Sequence, residues 1–297
     1  MRIDAGTQVC AVIGNPVEHS LSPLIHNAAF EATGLNYVYV AFRVEDVAGC
    51  LAGMRALPSW RGLSVTIPHK VAVMPYLDDI DPMAARVGCV NTVTNEGGRL
   101  IGAVTDGLGT LRAFNEAGVS LEGKRVLFLG SGGAVRAVAF AILEHAGPEC
   151  VTVLGRNPER LATLVDDLRA HARVPVVGGS IEEDAPEAAP AHDVIIQGTP
   201  VGMHPHSVDE TCVARESLRP EHVVFDMVYR PSRTRLIAEA EAVGCTTILG
   251  LEMLVNQAAL QFETWTGVAA PRTVMRDVLV ARLEKAETGN EATAEER

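Results

Sequence analysis

Four segments of the chain carry side chains of the kind that handle a polyhydroxylated acid. GNPVEHSLSPLIHN holds Ser20 and Ser22, SVTIPHK holds Thr66 and Lys70, GCVNT holds Asn91, and VTDG holds Asp106. Together they offer hydroxyls, an amide, one cation and one carboxylate. Moving a hydride to or from the carbon of a secondary alcohol needs a group that takes the hydroxyl proton in one direction and returns it in the other. Lys70 and Asp106 are the acid/base candidates. A neighbouring carboxylate raises a lysine pKa and burial lowers it, and the sequence leaves open which prevails. Singly, each segment has a plainer explanation. Ser22 followed by Pro23 reads as a helix N-cap with proline at the first position, His19 and His26 as surface or capping residues, and Lys70 as an exposed charge after a proline turn. The combination is what favours chemistry.

A second group of residues belongs to cofactor chemistry. VLFLGSGGAVRA sets Gly130, Ser131, Gly132, Gly133 and Ala134 between an apolar strand and an Ala/Val-rich helix, the context of a dinucleotide-binding loop. Glycines admit the pyrophosphate close to the backbone, and the helix N-terminus meets it with unpaired N–H groups and partial positive charge. Val135 stands where the third fingerprint glycine would be. At the end of the next strand an NAD site would place an acidic residue for the ribose. Here the chain reads Gly155-Arg156-Asn157-Pro158-Glu159-Arg160. Arg156 and Arg160 suit a 2′-phosphate, which pairs with guanidinium through charge-assisted bonds, so NADP is the expected cofactor, with Asn157 beside it and capping the following helix. His69 beside Lys70, and the pair His204 and His206, raise the question of a second acid or a metal. No HExxH or other close ligand set accompanies them, and no metal is expected.

The elements that must position these groups follow from patterning. Short apolar runs alternate with amphipathic stretches, predicting strands near residues 8–13, 37–42, 62–66, 90–94, 100–104, 125–130, 150–154, 193–197, 223–227 and 246–249, and a parallel α/β architecture. A chain of 297 residues exceeds one ordinary core. The break falls after Asp106, where residues 108–117 read as a helix and GVSLEGK as a turn before a second βα series. Two α/β domains are expected, residues 1–108 with 251–285 and a Rossmann-like domain over 109–250, followed by a charged, flexible tail at 286–297.

Composition limits the partners. Apolar residues make up 47% and charged residues 21%, as in soluble globular proteins. With 25 basic and 37 acidic residues the net charge is 25 − 37 = −12, which repels nucleic acid and anionic membranes. The six cysteines form no CxxC pair and are expected to be reduced thiols, and no run suits a signal peptide or a bilayer span, so a cytoplasmic monomer or homodimer acting on a small molecule is expected.

Over about residues 8 to 285 the chain resembles the shikimate dehydrogenases. GNPVEHSLSP is similar to the family's substrate-carboxylate segment, SVTIPHK to its catalytic-lysine strand, GCVNT to its substrate-asparagine segment, VTDG to its catalytic-aspartate turn, GSGGAVR to its NADP loop and GLEMLVNQAALQFETWTG to its closing helix. The resemblance implies an N-terminal parallel-sheet α/β substrate domain and a Rossmann-like NADP domain. It implies that Ser20, Ser22, Thr66, Lys70, Asn91, Asp106, Tyr229 and Gln257 meet substrate, that Lys70 moves the proton, and that Met227 and Gly250 line the nicotinamide side. The implied reaction is NADPH-dependent reduction of 3-dehydroshikimate to shikimate, on the route to chorismate and the aromatic amino acids. GMHPHSVDET and VVFDMVYRPSRTRL are also similar to the dehydrogenase half of plant bifunctional enzymes, here without a dehydratase domain. Two departures, Val104 in place of Asn and Ser64 in place of Asn, predict altered hydrogen bonding around Asp106 and Thr66. The alternatives are an NAD-using quinate/shikimate dehydrogenase and a ligand sensor without turnover, against which the presence of both Lys70 and Asp106 argues.

Overall fold

The structure, a computed structural model, describes residues 3–205 and 207–287. The chain divides into two compact units, one running to Gly109 and resuming over Val255–Ala281, the other spanning Thr110–Leu254 and resuming at Arg282.

The first unit is built on β1 (Gln8–Gly14), α1 (Ser22–Thr33), β2 (Tyr37–Arg43), α2 (Val47–Ala56), β3 (Trp60–Val65), β4 (Asp79–Ile80), α3 (Pro82–Val87), β5 (Thr92–Glu96) and β6 (Arg99–Ala103), with α4 (Asp106–Glu116) starting at the acid/base candidate. The strand order is β2-β1-β3-β5-β6-β4. β1 pairs in parallel with β2 and β3, as the alternating pattern predicted. β5 runs antiparallel to both β3 and β6, so this sheet is mixed. The reason is local. β5 and β6 are joined by Gly97 and Gly98 alone, at φ 63° and 97°, and two residues make a hairpin where a parallel crossover needs a dozen or more.

The second unit carries β7 (Arg125–Leu129), α5 (Gly133–His145), β8 (Cys150–Gly155), α6 (Pro158–His171), β9 (Val176–Ser180), α7 (Ile181–Ala191), β10 (Val194–Gln197), β11 (Val223–Asp226), α8 (Arg235–Val243) and β12 (Thr246–Ile248). Its order, β12-β11-β10-β7-β8-β9, is parallel throughout. Counted from β7, this is the doubly wound 3-2-1-4-5-6 order, whose direction reverses between β7 and β10. Strand β9 is not among those the patterning predicts. It is an edge strand whose sequence, VVGGS, has a single buried residue and two glycines in place of an apolar run. Buried Leu127, Leu129, Ile195 and Val224 pack with Leu236, Ile237 and Ala240 of α8 on one face of the sheet.

Two helices complete the described chain, α9 (Gly250–Thr266) and α10 (Arg272–Glu287), and the divisions between the units fall within α4, α9 and α10. Of the tail expected at 286–297, the first two residues belong to α10 and the rest lie outside the described residues. Among the described residues no helix is long and apolar enough to cross a membrane.

Candidate active site

In the first unit the ends of β1, β3 and β6 bring the expected residues together. The Thr66 N–H donates to the Ile13 carbonyl at 2.9 Å and Asn15 N–H to the Ile67 carbonyl at 3.1 Å, so the segments bearing Ser20, Ser22, Thr66 and Lys70 leave the sheet side by side. The backbone at Val90 then donates to the Lys70 carbonyl at 2.8 Å, placing Asn91 next to the lysine. Lys70 Nζ donates to Asp106 Oδ2 at 2.6 Å, and Asn91 Nδ2 donates to Asp106 Oδ1 at 2.8 Å. Side-chain exposure is 28% for Lys70 and 10% for Asp106, so the pair is shielded but reachable. Burial pulls the lysine pKa down, and the Asp106 carboxylate pushes it up. The carboxylate prevails, and Lys70 stands above the ordinary lysine value.

Several first-unit residues take roles other than those expected. Ser22 is the first residue of α1 and not its cap; Leu21 is the N-cap and makes no side-chain cap bond. Ser22 N–H instead donates to Ser20 Oγ at 3.3 Å, and its hydroxyl lies beside the Tyr39 phenol. His26 is neither a surface nor a capping residue. It is fully buried, stacked on Tyr39 at 4.3 Å and packed against Trp265, and burial pushes its pKa to about 3, so it is neutral. His69 is buried with Nε2 on the Val44 carbonyl at 2.9 Å, a structural bond. Ser64 accepts the Tyr39 hydroxyl at 2.6 Å and donates to Gln261 Oε1 at 2.9 Å, and Val104 is a buried apolar residue before Thr105. His206 lies outside the described residues, His204 is exposed, and among the described residues no three His, Cys, Asp or Glu side chains gather as metal ligands.

In the second unit the glycine loop follows β7, at the reversal of strand order. Gly130 has φ 114°, a conformation other residues rarely adopt, and the loop turns against Gly198 at the end of β10. Gly132 caps α5 without any side-chain bond, and the first turn of α5 carries no acid. By contrast, Asn157 caps α6 by accepting the Arg160 N–H at 2.9 Å, with Glu159 in that first turn. Arg156 and Arg160 are both exposed beyond β8, and Arg156 lines an open cavity of about 750 Å³. Met227 follows β11 beside Gly198, Tyr229 lies two residues on and is 37% exposed, and Gly250 opens α9 against the carbonyls of Met227 and Val228.

Residues 12–93 match the shikimate dehydrogenase substrate binding domain family, and residues 250–280 the shikimate 5′-dehydrogenase C-terminal domain family. The shikimate dehydrogenase (NADP+) of Moorella thermoacetica is 46% identical over 282 residues, 94% of this chain and 95% of that protein. The chain is a member of the shikimate dehydrogenase family. Among solved structures, shikimate 5-dehydrogenase from Listeria monocytogenes in complex with shikimate and NAD matches with a TM-score of 0.88 at 36% identity, covering 94% of this chain and 98% of that one. The enzyme from Thermus thermophilus in complex with NADP(H) and shikimate matches with a TM-score of 0.81 at 37% identity, covering 93% and 100%.

Within this shikimate dehydrogenase fold the residues around Gly130 suit a dinucleotide. The N-terminus of α5 is left without a side-chain cap, and a side chain at Gly132 or Gly133 would meet open space, leaving room for a pyrophosphate. Expected substrate residues Ser20, Ser22, Thr66, Lys70, Asn91, Asp106 and Gln257 belong to the first unit, and Tyr229 to the second. The Thr105 hydroxyl donates to Gln257 Oε1 over a long 3.5 Å. Sequence reasoning missed Thr92, Thr105 and Gln261, whose buried side chains surround Asn91. One signal was available for Gln261. It stands four residues after Gln257, so the two amides share one face of α9.

Proposed function

We propose that the protein catalyses the reversible, NADPH-dependent reduction of 3-dehydroshikimate to shikimate, as a cytoplasmic enzyme acting as a monomer or homodimer. The observation that carries this reading is the 2.6 Å bond between Lys70 and Asp106 in a chain of this family. When bound, reduced nicotinamide supplies the hydride to the ketone carbon. The Lys70 ammonium gives its proton to the oxygen that becomes the hydroxyl, so ketone, hydride and proton together make the alcohol. Asp106 keeps Lys70 charged until that moment and aims it. Ser20 and Ser22 hold the substrate carboxylate, Thr66, Asn91, Gln257 and Tyr229 its hydroxyls, and Met227 and Gly250 border the nicotinamide. Residues 130–134 hold the pyrophosphate and Arg156, Asn157 and Arg160 the 2′-phosphate end.

Steady-state rates with shikimate and quinate, each with NADP and NAD, test this directly. The expected result is highest kcat/KM for shikimate with NADP. Preference for quinate with NAD would make it a quinate dehydrogenase, and no turnover with any pair would make it a ligand sensor.

A further inference from the structure

Asp106 is held from behind by a buried line of side chains drawn from sequence positions far apart. Tyr39 donates to Ser64 at 2.6 Å, Ser64 to Gln261 Oε1 at 2.9 Å, and Gln261 Nε2 to Thr92 Oγ1 at 2.9 Å. Thr92 in turn donates to Asn91 Oδ1 at 2.7 Å, and Asn91 Nδ2 to Asp106 Oδ1 at 2.8 Å. Tyr39, Thr92 and Gln261 each retain 1% exposure, Asn91 3% and Ser64 6%, so these partners do not exchange with bulk water.

The direction of this line is set by two backbone groups. The Asn91 carbonyl only accepts, so the Gln261 atom 3.2 Å from it is the amide nitrogen, and its oxygen faces Ser64. The Thr105 N–H only donates, so the Asn91 atom 2.9 Å from it is the oxygen, and its nitrogen faces Asp106. The Thr92 hydroxyl has one proton. Because Gln261 donates to Thr92, that proton goes to Asn91 Oδ1 at 2.7 Å, a nearer acceptor than Thr105 Oγ1 at 3.4 Å, and together with the Thr105 N–H it locks the Asn91 amide with its N–H toward the carboxylate.

We infer that Gln261, acting through Thr92, is a positioning residue that fixes which face Asn91 presents to the Lys70–Asp106 pair. This rests on the assignment of that pair to proton transfer. Without the Thr92 donor, one of the bonds that hold the Asn91 oxygen away from Asp106 is gone, and the amide turns more freely. The titratable groups near the line are Tyr39, Cys10, His26, Cys89, Lys70 and Asp106, and burial keeps Tyr39, Cys10 and His26 uncharged.

Full-length Gln261→Met, Thr92→Val, Thr92→Ser and the Gln261→Met/Thr92→Val pair are compared, with rates normalised to the fraction of enzyme that binds NADP. Expected are kcat losses of about tenfold for Gln261→Met and Thr92→Val, KM for shikimate rising by no more than about threefold, and a double variant no slower than either single one. Thr92→Ser, which keeps the hydroxyl, restores kcat to within about twofold of wild type. A purely structural role would lower thermal stability while leaving normalised kcat intact, and that outcome overturns the inference. So would losses that multiply in the double variant, or a Thr92→Ser enzyme no better than Thr92→Val. A Lys70→Ala control separates the two ideas. If that variant is inactive while Gln261→Met is not impaired, only the positioning role fails; if Lys70→Ala turns over normally, the acid/base assignment itself is wrong.

Discussion

Asn91 presents its amide nitrogen, and not its oxygen, to Asp106, with Nδ2 2.8 Å from Oδ1. The carboxylate is thereby met by two donors on its two oxygens, Asn91 on one and Lys70 on the other at 2.6 Å. A carboxylate so held is fixed in orientation, which a partner that aims a proton-donating lysine must be.

Removing the lysine head group should abolish proton delivery while leaving the hydroxyls and amides that hold substrate. Lys70→Ala is expected to lower kcat by about 10²- to 10⁴-fold with a much smaller change in KM. In the oxidation direction Lys70 must first lose its proton, and its pKa lies above the ordinary lysine value because Asp106 outweighs burial. The wild-type oxidation rate should therefore climb throughout the range from neutral to about pH 10, in stopped-flow or steady-state assays. A plateau below about pH 8 would assign the base to another group.

The turn that joins Ser20 and Ser22 is free of helix-capping duty, since neither side chain caps α1. The Ser20 oxygen accepts the Ser22 N–H and leaves its own O–H to donate to a carboxylate, and the Ser22 hydroxyl, beside the Tyr39 phenol, lies in the same turn. Replacing both by Ala should raise KM for shikimate, each lost bond to a charged group costing roughly 1.5 to 3 kcal/mol. Unchanged KM in the double variant would reduce this segment to a connection between β1 and α1.

Cofactor choice should follow Arg156, which is exposed at the end of β8. Guanidinium gains a charged partner from the 2′-phosphate and only a neutral acceptor from a ribose hydroxyl, which corresponds to roughly 10- to 150-fold discrimination, nearer the lower end for so exposed a site. Arg156→Ala is expected to weaken NADP alone and leave kcat/KM with NAD nearly unchanged. Wild-type efficiencies with NAD and NADP within about threefold of each other would contradict this and favour quinate/shikimate chemistry with NAD.

Asp226, at the end of β11, is a buried carboxylate that accepts the Val228 N–H at 3.0 Å and the Thr234 hydroxyl at 2.6 Å. Burial raises its pKa to about 6, with both bonds opposing. The sign follows from the raised value. Between the unfolded carboxylate pKa and about 6, the folded chain binds the extra proton, so this group makes the protein more stable as pH falls. From about pH 7 to about pH 5 the unfolding free energy of wild type should gain about 1 kcal/mol relative to Asp226→Asn, read from urea denaturation at each pH. A difference that is flat, or that shrinks on acidification, would mean that Asp226 titrates normally.

Much of this protein is legible before folding is considered, because many of its signals are short-range. A glycine loop between an apolar run and a helix, an Arg pair after the next strand and the Ser, Thr, Lys, Asn and Asp segments each lie within a few residues, and backbone chemistry over that distance fixes local geometry. The alternating pattern likewise announces two βα units. Where the structure departs from that pattern, the competing cause is also local. The Gly97-Gly98 turn enforces an antiparallel pair, and the glycines of β9 break the apolar run by which strands are recognised. What no local pattern contains is the company each polar group keeps. Gln261 lies 197 residues from Ser64 and 169 from Thr92 in sequence, yet bonds to both, and Asn91 owes its orientation to Thr92 beside it and Thr105 across the β5–β6 hairpin. His26 shows the same limit, since the sequence reads it as a surface or capping residue and only packing against Tyr39 and Trp265 makes it a neutral core ring. Residue type states what a side chain is able to donate or accept. Burial, by removing water as the alternative partner, decides which of those bonds must be made and so which way Asn91 faces Asp106.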